Sequence, residues 1–143
     1  MRTIADIMSQ ECVTASMNSS IQEVAQLMKS HDIGFIPVTD QSKLIGVITD
    51  RDLVIRCCAE SHDPSKAIGE FVSKDIRTAE PSLSVDEAAS IMASEQIRRL
   101  PIVENGHLLG VVSLGDLAVR EIFVNEAGQA LNEISEHHNS TFH

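Results

Sequence analysis

The sequence contains no tryptophan, no tyrosine and only four phenylalanines. A core of stacked rings is therefore excluded, and Val, Ile, Leu, Met and Ala must do the packing. Cysteine is scarce as well. The chain has three, two of them adjacent as Cys57-Cys58, which provides neither a disulfide framework nor zinc-ligand spacing. Such residues ordinarily serve as small buried or half-buried apolar groups. Positive charge is short, with 11 Lys and Arg against 21 Asp and Glu and a net charge of −10. That sign excludes general binding to nucleic acid or to an anionic membrane, since both need a basic surface. Any anionic ligand must then be held by a few local donors. No window approaches a membrane span, and the segment Met1 to Met8 carries Asp6 where a signal peptide would be apolar. The expectation is a soluble, cytoplasmic protein. Catalytic signatures are missing too: there is no HExxH, no P-loop, no dinucleotide fingerprint and no Cys/His or Ser/His/Asp pairing. His31, His62 and His107 fall at element ends or in turns, so no enzyme activity is expected.

What the chain does have is an internal repeat. Leu44-Ile45-Gly46-Val47-Ile48-Thr49-Asp50-Arg51-Asp52-Leu53 returns as Leu108-Leu109-Gly110-Val111-Val112-Ser113-Leu114-Gly115-Asp116-Leu117. Thr14 and Thr78, Pro37 and Pro101, Gly46 and Gly110, and Asp52 and Asp116 are each 64 positions apart. Residues 4–58 align with 68–122 without a gap, and about a third of the positions are identical. The period exceeds the roughly 20–50 residues of solenoid units, which points to two small subdomains. With 143 residues, 43% of them hydrophobic, the chain is long enough to bury a core.

Each copy reads as β-α-β-β-α. Ile4, Ile7 and Met8 lie on one side of a short turn, and Cys12-Val13-Thr14 is a brief strand candidate. Ser20/Glu23 and Ser84/Glu87 have capping-box spacing, so helices start there, with Ile21, Val24, Ala25, Met28 and Val85, Ala88, Ala89, Met92 as apolar stripes. The runs Ile33–Val38 and Ile97–Val103 contain Pro37 and Pro101, which demand an edge or a strand end. Residues 39–43 turn the first copy; Asn105-Gly106 makes a tight hairpin turn in the second. After the returning strands, helices are expected from Asp50 to about Ala59, with Leu53, Val54 and Cys57 inward, and from Gly115 to about Phe123. The expected organisation is repeat 1 over 1–60, a linker over 61–66, repeat 2 over 67–124 and a helical tail over 125–143. The tail carries Ala127, Ala130, Leu131 and Ile134 at helical spacing, followed by His137, His138 and His143 in a polar end rather than a metal site. Three short strands per half cannot cover their own apolar face, so the halves should pack sheet to sheet about a pseudo-two-fold axis, in the α/β (α+β) class.

An apolar-x-Pro-Val strand followed by Gly-x-x-Thr/Ser-x-x-Asp, in tandem, resembles the cystathionine-β-synthase-type (CBS) domain pair, or Bateman module, in a stand-alone form. The resemblance runs from Ile4 to about Phe123. It implies a regulatory module that binds an adenine nucleotide such as AMP, ADP or ATP in the cleft between the halves, with no chemistry and no cofactor of its own. It also implies a homodimer built through the helices 50–59 and 115–123, acting on an effector protein that the residues do not identify. The physics fits that role. Asp52 and Asp116, one turn into a helix, can accept hydrogen bonds from adjacent ribose hydroxyls. Thr49 and Ser113 sit where helix N–H groups favour a phosphate, although both would cap a helix in any protein with this junction. Thr14 and Thr78, beside Ile36-Pro37 and Leu100-Pro101, are similar in position to the family's adenine pocket.

The two clefts are unequal. Arg98 and Arg99 stand where the first half has Gly34 and Phe35, and Arg51 stands where the second half has Gly115. Adjacent strand residues face opposite ways, so only one arginine of the pair points inward; the resemblance selects Arg99. A ribose on Asp52 is then expected to direct its phosphate toward Arg99. A rival reading is an interaction or structural dimer module whose cleft takes no physiological nucleotide.

Overall fold

The computed structural model describes residues 2–118. The expected tail helix, the C-terminal end of the helix from Gly115, and Val119 and Ile122 on its face lie outside the described residues.

Each half is organised by a β-hairpin. In the first, β1 (Phe35–Asp40) pairs antiparallel with β2 (Lys43–Thr49); in the second, β3 (Arg99–Glu104) pairs with β4 (His107–Ser113). Phe35 lies opposite Thr49, Pro37 opposite Val47, Arg99 opposite Ser113 and Pro101 opposite Val111, so the register repeats with the sequence. Even the bulge recurs, between Val38 and Thr39 and between Ile102 and Val103. Asn105 and Gly106 both take positive φ, 53° and 81°, as a two-residue hairpin turn of this hand requires. Gln41 and Ser42 adopt the same left-handed conformations without a glycine.

The hairpins meet at their turns. Lys43 lies opposite His107, flanked by Leu44 N–H donating to the Gly106 carbonyl at 3.0 Å and Leu108 N–H to the Ser42 carbonyl at 2.8 Å. One four-stranded sheet results, in the order β1-β2-β4-β3. Both proline strands are edges, as expected of a residue with no N–H to give a ladder. The outer side of each edge is met at one point: the Pro37 carbonyl accepts from Ala15 N–H and the Pro101 carbonyl from Ala79 N–H, both at 3.0 Å. The strand expected at Cys12-Val13-Thr14 is therefore a single bridge residue, Ala15, as is its counterpart Ala79. The proline interrupts the partner's donors, so pairing cannot propagate.

Helices α1 (Ile21–His31) and α3 (Val85–Glu95) start at Ser20 and Ser84, whose hydroxyls accept the N–H of Glu23 and Glu87 at 3.0 and 3.1 Å. Ser20 completes the reciprocal box through its own N–H to Glu23 Oε1, whereas Ser84 donates its hydroxyl to Glu87 Oε1. Their inner faces bury Val24 and Met28, and Val85, Ala88 and Met92. After β2 the chain forms a short α2 (Asp50–Asp52) and then widens to a π-helix over Leu53–Cys58. This differs from the regular helix expected. In the wider winding Cys57 is buried, Leu53 is half-buried, and Val54 points to solvent at 63% exposure. The inward assignment of Val54 is thus corrected. A fourth helix, α4, opens over 114–118.

The halves exchange their leading segments. Residues Ile4 and Ile7 pack with Val85, Met92, Leu100, Ile102 and Val112 in the core of the second half. Reciprocally, Ile68, Phe71 and Val72 pack with Val24, Met28, Ile36, Val38 and Ile48 in the first. Ser9 pairs with Val111 and Ser73 with Val47. The motif glycines permit this approach. A β-carbon on Gly46 would collide with the Ser73 carbonyl, and one on Gly110 would lie 2.6 Å from the Ser9 carbonyl.

Candidate functional site

The strand-to-helix junctions are built alike. Thr49 Oγ1 accepts the Asp52 N–H at 3.2 Å, and Asp52 Oδ2 accepts the Thr49 N–H at 2.9 Å. Ser113 Oγ accepts from Asp116 N–H at 3.0 Å, and Asp116 Oδ2 from Ser113 N–H at 3.2 Å. The cap is thus formed, and it uses one carboxylate oxygen of each aspartate. The second oxygen, Oδ1, belongs to a residue whose rotamer the cap has already fixed, so little side-chain entropy would be lost if it took a further hydrogen bond. Asp52 is the more enclosed, its side chain 18% exposed, while Asp116 is exposed.

The junctions differ in their amides. In the first, Asp50 N–H goes to the Gly34 carbonyl at 3.0 Å, Arg51 N–H to Asp50 Oδ1 at 2.8 Å and Asp52 N–H to Thr49. The first-turn donors are all engaged within the protein, which removes the basis for a phosphate at Thr49. Arg51 itself is exposed. In the second junction Leu114 N–H goes to the Arg98 carbonyl at 2.8 Å and Asp116 N–H to Ser113, but no group among the described residues takes the Gly115 N–H. Arg99, half-buried, stands on the strand opposite Ser113, while Arg98 is exposed. A free amide and the guanidinium of Arg99 therefore flank Ser113, where the first half offers Phe35, the added carboxylate of Asp50 and the exposed Arg51. Arg99 is a candidate legible in the sequence, whereas the Gly115 amide has no side chain to signal it.

Thr14 and Thr78 lie on the segments that tie the halves together. Segment 9–15 pairs with the second half at Ser9 and the first at Ala15; segment 73–79 pairs with the first half at Ser73 and the second at Ala79. Thr14 is exposed and Thr78 half-buried, and each adjoins its bridge to the proline strand. Ile36 and Leu100 are fully buried, and Pro37 and Pro101 are buried beside them. No hydrogen bond or ion pair joins Arg99 to Thr49 or Asp52 among the described residues. A cleft of about 410 Å³, lined by Arg77, Thr78, Ser82, Ile91 and Asn105 among others, opens at the turn end of β3–β4, away from Ser113.

Burial pushes the Cys57 thiol up, with Asp52 and Glu60 adding to the effect and Arg56 opposing it; burial likewise raises Cys12. Neither thiol has the electropositive setting of a nucleophile. Among the described residues no group of three His, Cys, Asp or Glu could hold a metal ion, and no helix is long and apolar enough to cross a membrane.

A duplicated hairpin-and-cap unit with exchanged leading segments defines a pair of CBS domains. The CBS domain model matches residues 4–57 and 68–121, and the chain belongs to that family. It is 43% identical over 135 residues to the CBS domain-containing protein YhcV of Bacillus subtilis (strain 168), across 94% of this chain and 96% of that protein. Among solved structures it resembles Hypoxic Response Protein I with two coordinated zinc ions (TM-score 0.75, 33% identity, 84% of this chain and 99% of the other). It also resembles the CBS domain pair of protein MJ0100 in complex with 5-methylthioadenosine and S-adenosyl-L-methionine (TM-score 0.72, 29% identity, 86% and 96%).

Proposed function

We propose that this chain is a regulatory module that binds an adenine nucleotide in the seam between its halves, performs no chemistry on it, and passes its occupancy to a partner protein. The observation that carries this reading is the paired, pre-fixed carboxylate. In each half an aspartate is locked by its cap through one oxygen, and the other oxygen accepts no hydrogen bond from the described residues. The adenosine-bearing ligands of the MJ0100 domain pair support the ligand class. The asymmetry of the junctions supports a ribose on Asp52 with its phosphate toward Arg99, Ser113 and the Gly115 amide, since the Asp52 junction has no first-turn backbone N–H to spare. The exposed side chains of Val54, Ile55 and Leu114 support pairing of two copies through the helices after β2 and β4. A thermal-shift panel of AMP, ADP, ATP, S-adenosylmethionine and NADH tests the reading, because a ligand that binds only the native state raises the melting temperature. A rise with at least one adenine nucleotide is expected, and no rise with any at millimolar concentration rejects it in favour of an interaction module with an empty seam.

A further inference from the structure

Arg56 has three contacts that no part of the nucleotide reading uses. Its Nη1 donates to the Phe71 carbonyl at 2.9 Å and its Nη2 reaches the Glu70 carbonyl at 3.4 Å. The same Nη1 lies 4.0 Å from Asp52 Oδ1, the oxygen that the cap leaves free. Glu70 and Phe71 end the 3-10 turn Ile68–Phe71, whose last carbonyls have no partner within the turn. That turn opens the second repeat but is buried in the first half's core through Ile68 and Phe71. It continues into Val72 and Ser73, where the crossover pairs with Val47 and covers Gly46. One guanidinium therefore touches both the candidate ribose carboxylate and the strap by which the second repeat is fastened to the first.

The π-helix is what allows this. Arg56 lies four residues after Asp52, and in the widened winding the side chain reaches across to the strap while Val54 and Ile55 turn outward. We infer that Arg56 is a positioning residue that couples occupancy of Asp52 to the hold on the crossover segment 68–73. This rests on the reading of Asp52 as the ribose carboxylate. Without ligand, the guanidinium divides its charge between Asp52 Oδ1 and the two carbonyls. When ribose hydroxyls donate to Oδ1, that carboxylate is satisfied by the ligand and the guanidinium bonds the Glu70 and Phe71 carbonyls without competition. Ligand then tightens the strap, and the segment that ties the halves carries the signal.

Amide hydrogen exchange on the full chain tests this at Ile68, whose N–H bonds the Ser19 carbonyl at 2.8 Å, and at Ser73, whose N–H bonds the Val47 carbonyl at 2.9 Å. In ligand-free protein, Arg56→Gln should speed exchange at these amides by about tenfold, the scale of a lost charge-assisted hydrogen bond. Asp52→Asn, which removes the competing charge, should slow it by about two- to fivefold, the scale of a half-exposed ion pair. Amides of α3 serve as the reference for global unfolding. Saturating AMP should slow exchange at Ile68 and Ser73 in the wild type but not in Arg56→Gln. Arg56→Lys keeps the charge without the two-carbonyl fork; it should also lose the AMP response, and replaces Arg56→Gln if that variant does not fold. An Asp52→Asn protein with wild-type or faster exchange over 68–73 overturns the inference, as does an AMP response retained in full without Arg56. Should calorimetry find no nucleotide bound by the wild type, the proposed function fails, and the ligand-free comparison of the three proteins alone decides the coupling.

Discussion

Replacing Gly46 with alanine probes the exchange of segments more directly than any core truncation. Gly46 has no positive φ, so alanine meets no backbone strain there. The added methyl would instead lie 2.6 Å from Val72 Cγ1 and closer still to the Ser73 carbonyl. Neither obstacle can swing away: Val72 is buried in the first core, and Ser73 is held to Val47 by bonds of 2.9 and 3.0 Å. Overpacking of about 1–3 kcal/mol adds to the weakening of two hydrogen bonds, and the expected loss is about 2–4 kcal/mol. For a chain of this size that lowers Tm by about 5–15 °C. Gly34→Ala is the control. Its methyl would meet the Asp50 carboxylate at 2.7 Å, the end of an exposed side chain that can rotate at the cost of its bond to the Arg51 N–H, and the expected loss is about 1 kcal/mol. Calorimetric melting of the two variants decides the matter. A Gly46→Ala protein within about 2 °C of wild type, or one more stable than Gly34→Ala, would refute the reasoning that the crossover lies against this glycine.

Four further outcomes are expected. Ser20→Ala should cost about 1 kcal/mol in chemical denaturation, because the hydroxyl that accepts the Glu23 N–H is lost while the bond from the Ser20 backbone N–H to Glu23 remains. Iodoacetamide should label exposed Cys58 first and Cys57 last, since burial both shields Cys57 and raises its thiol; mass spectrometry of timed aliquots gives the order. Lys66, 2.6 Å from Glu70, holds that carboxyl below its usual value. The resulting stability is present above the ordinary carboxylate pKa and lost as pH falls through the folded one, so Lys66→Ala should flatten the acid limb of Tm against pH, slightly, because the pair is exposed. Ile55→Asp should convert the proposed dimer to a monomer in light scattering.

The fold was legible where local chemistry and long-range packing agree. The repeat, the capping residues, the edge prolines and the Asn105-Gly106 turn all announce themselves through residue types whose backbone demands are narrow. Three features were not legible, two because they depend on what a distant segment does and one because the winding departs locally from the regular helix. The strand at Cys12-Val13-Thr14 shrinks to a bridge because Pro37 sits across from it. Val54 turns outward because the helix widens, and apolar periodicity assumes the regular winding. The exchange of leading segments leaves no trace in the alignment of the repeats, since Ile4 and Ile68 look identical whichever half they enter. Of the site, the aspartates and Arg99 could be read from side chains. The engaged amides at Asp50 and Arg51, and the open one at Gly115, could not.

The central claim is that a nucleotide spans the seam with its ribose on Asp52 and its phosphate near Arg99. Isothermal calorimetry of AMP and adenosine against the wild type, Arg99→Ala, Asp52→Ala and Asp116→Ala tests it in one series. A charge-assisted hydrogen bond is worth about 1.5–3 kcal/mol, so Arg99→Ala should weaken AMP by about ten- to a hundredfold and leave adenosine nearly unchanged. Asp52→Ala should cost more affinity than Asp116→Ala. Unaltered AMP affinity in Arg99→Ala, or loss of binding in Asp116→Ala alone, would contradict the assignment.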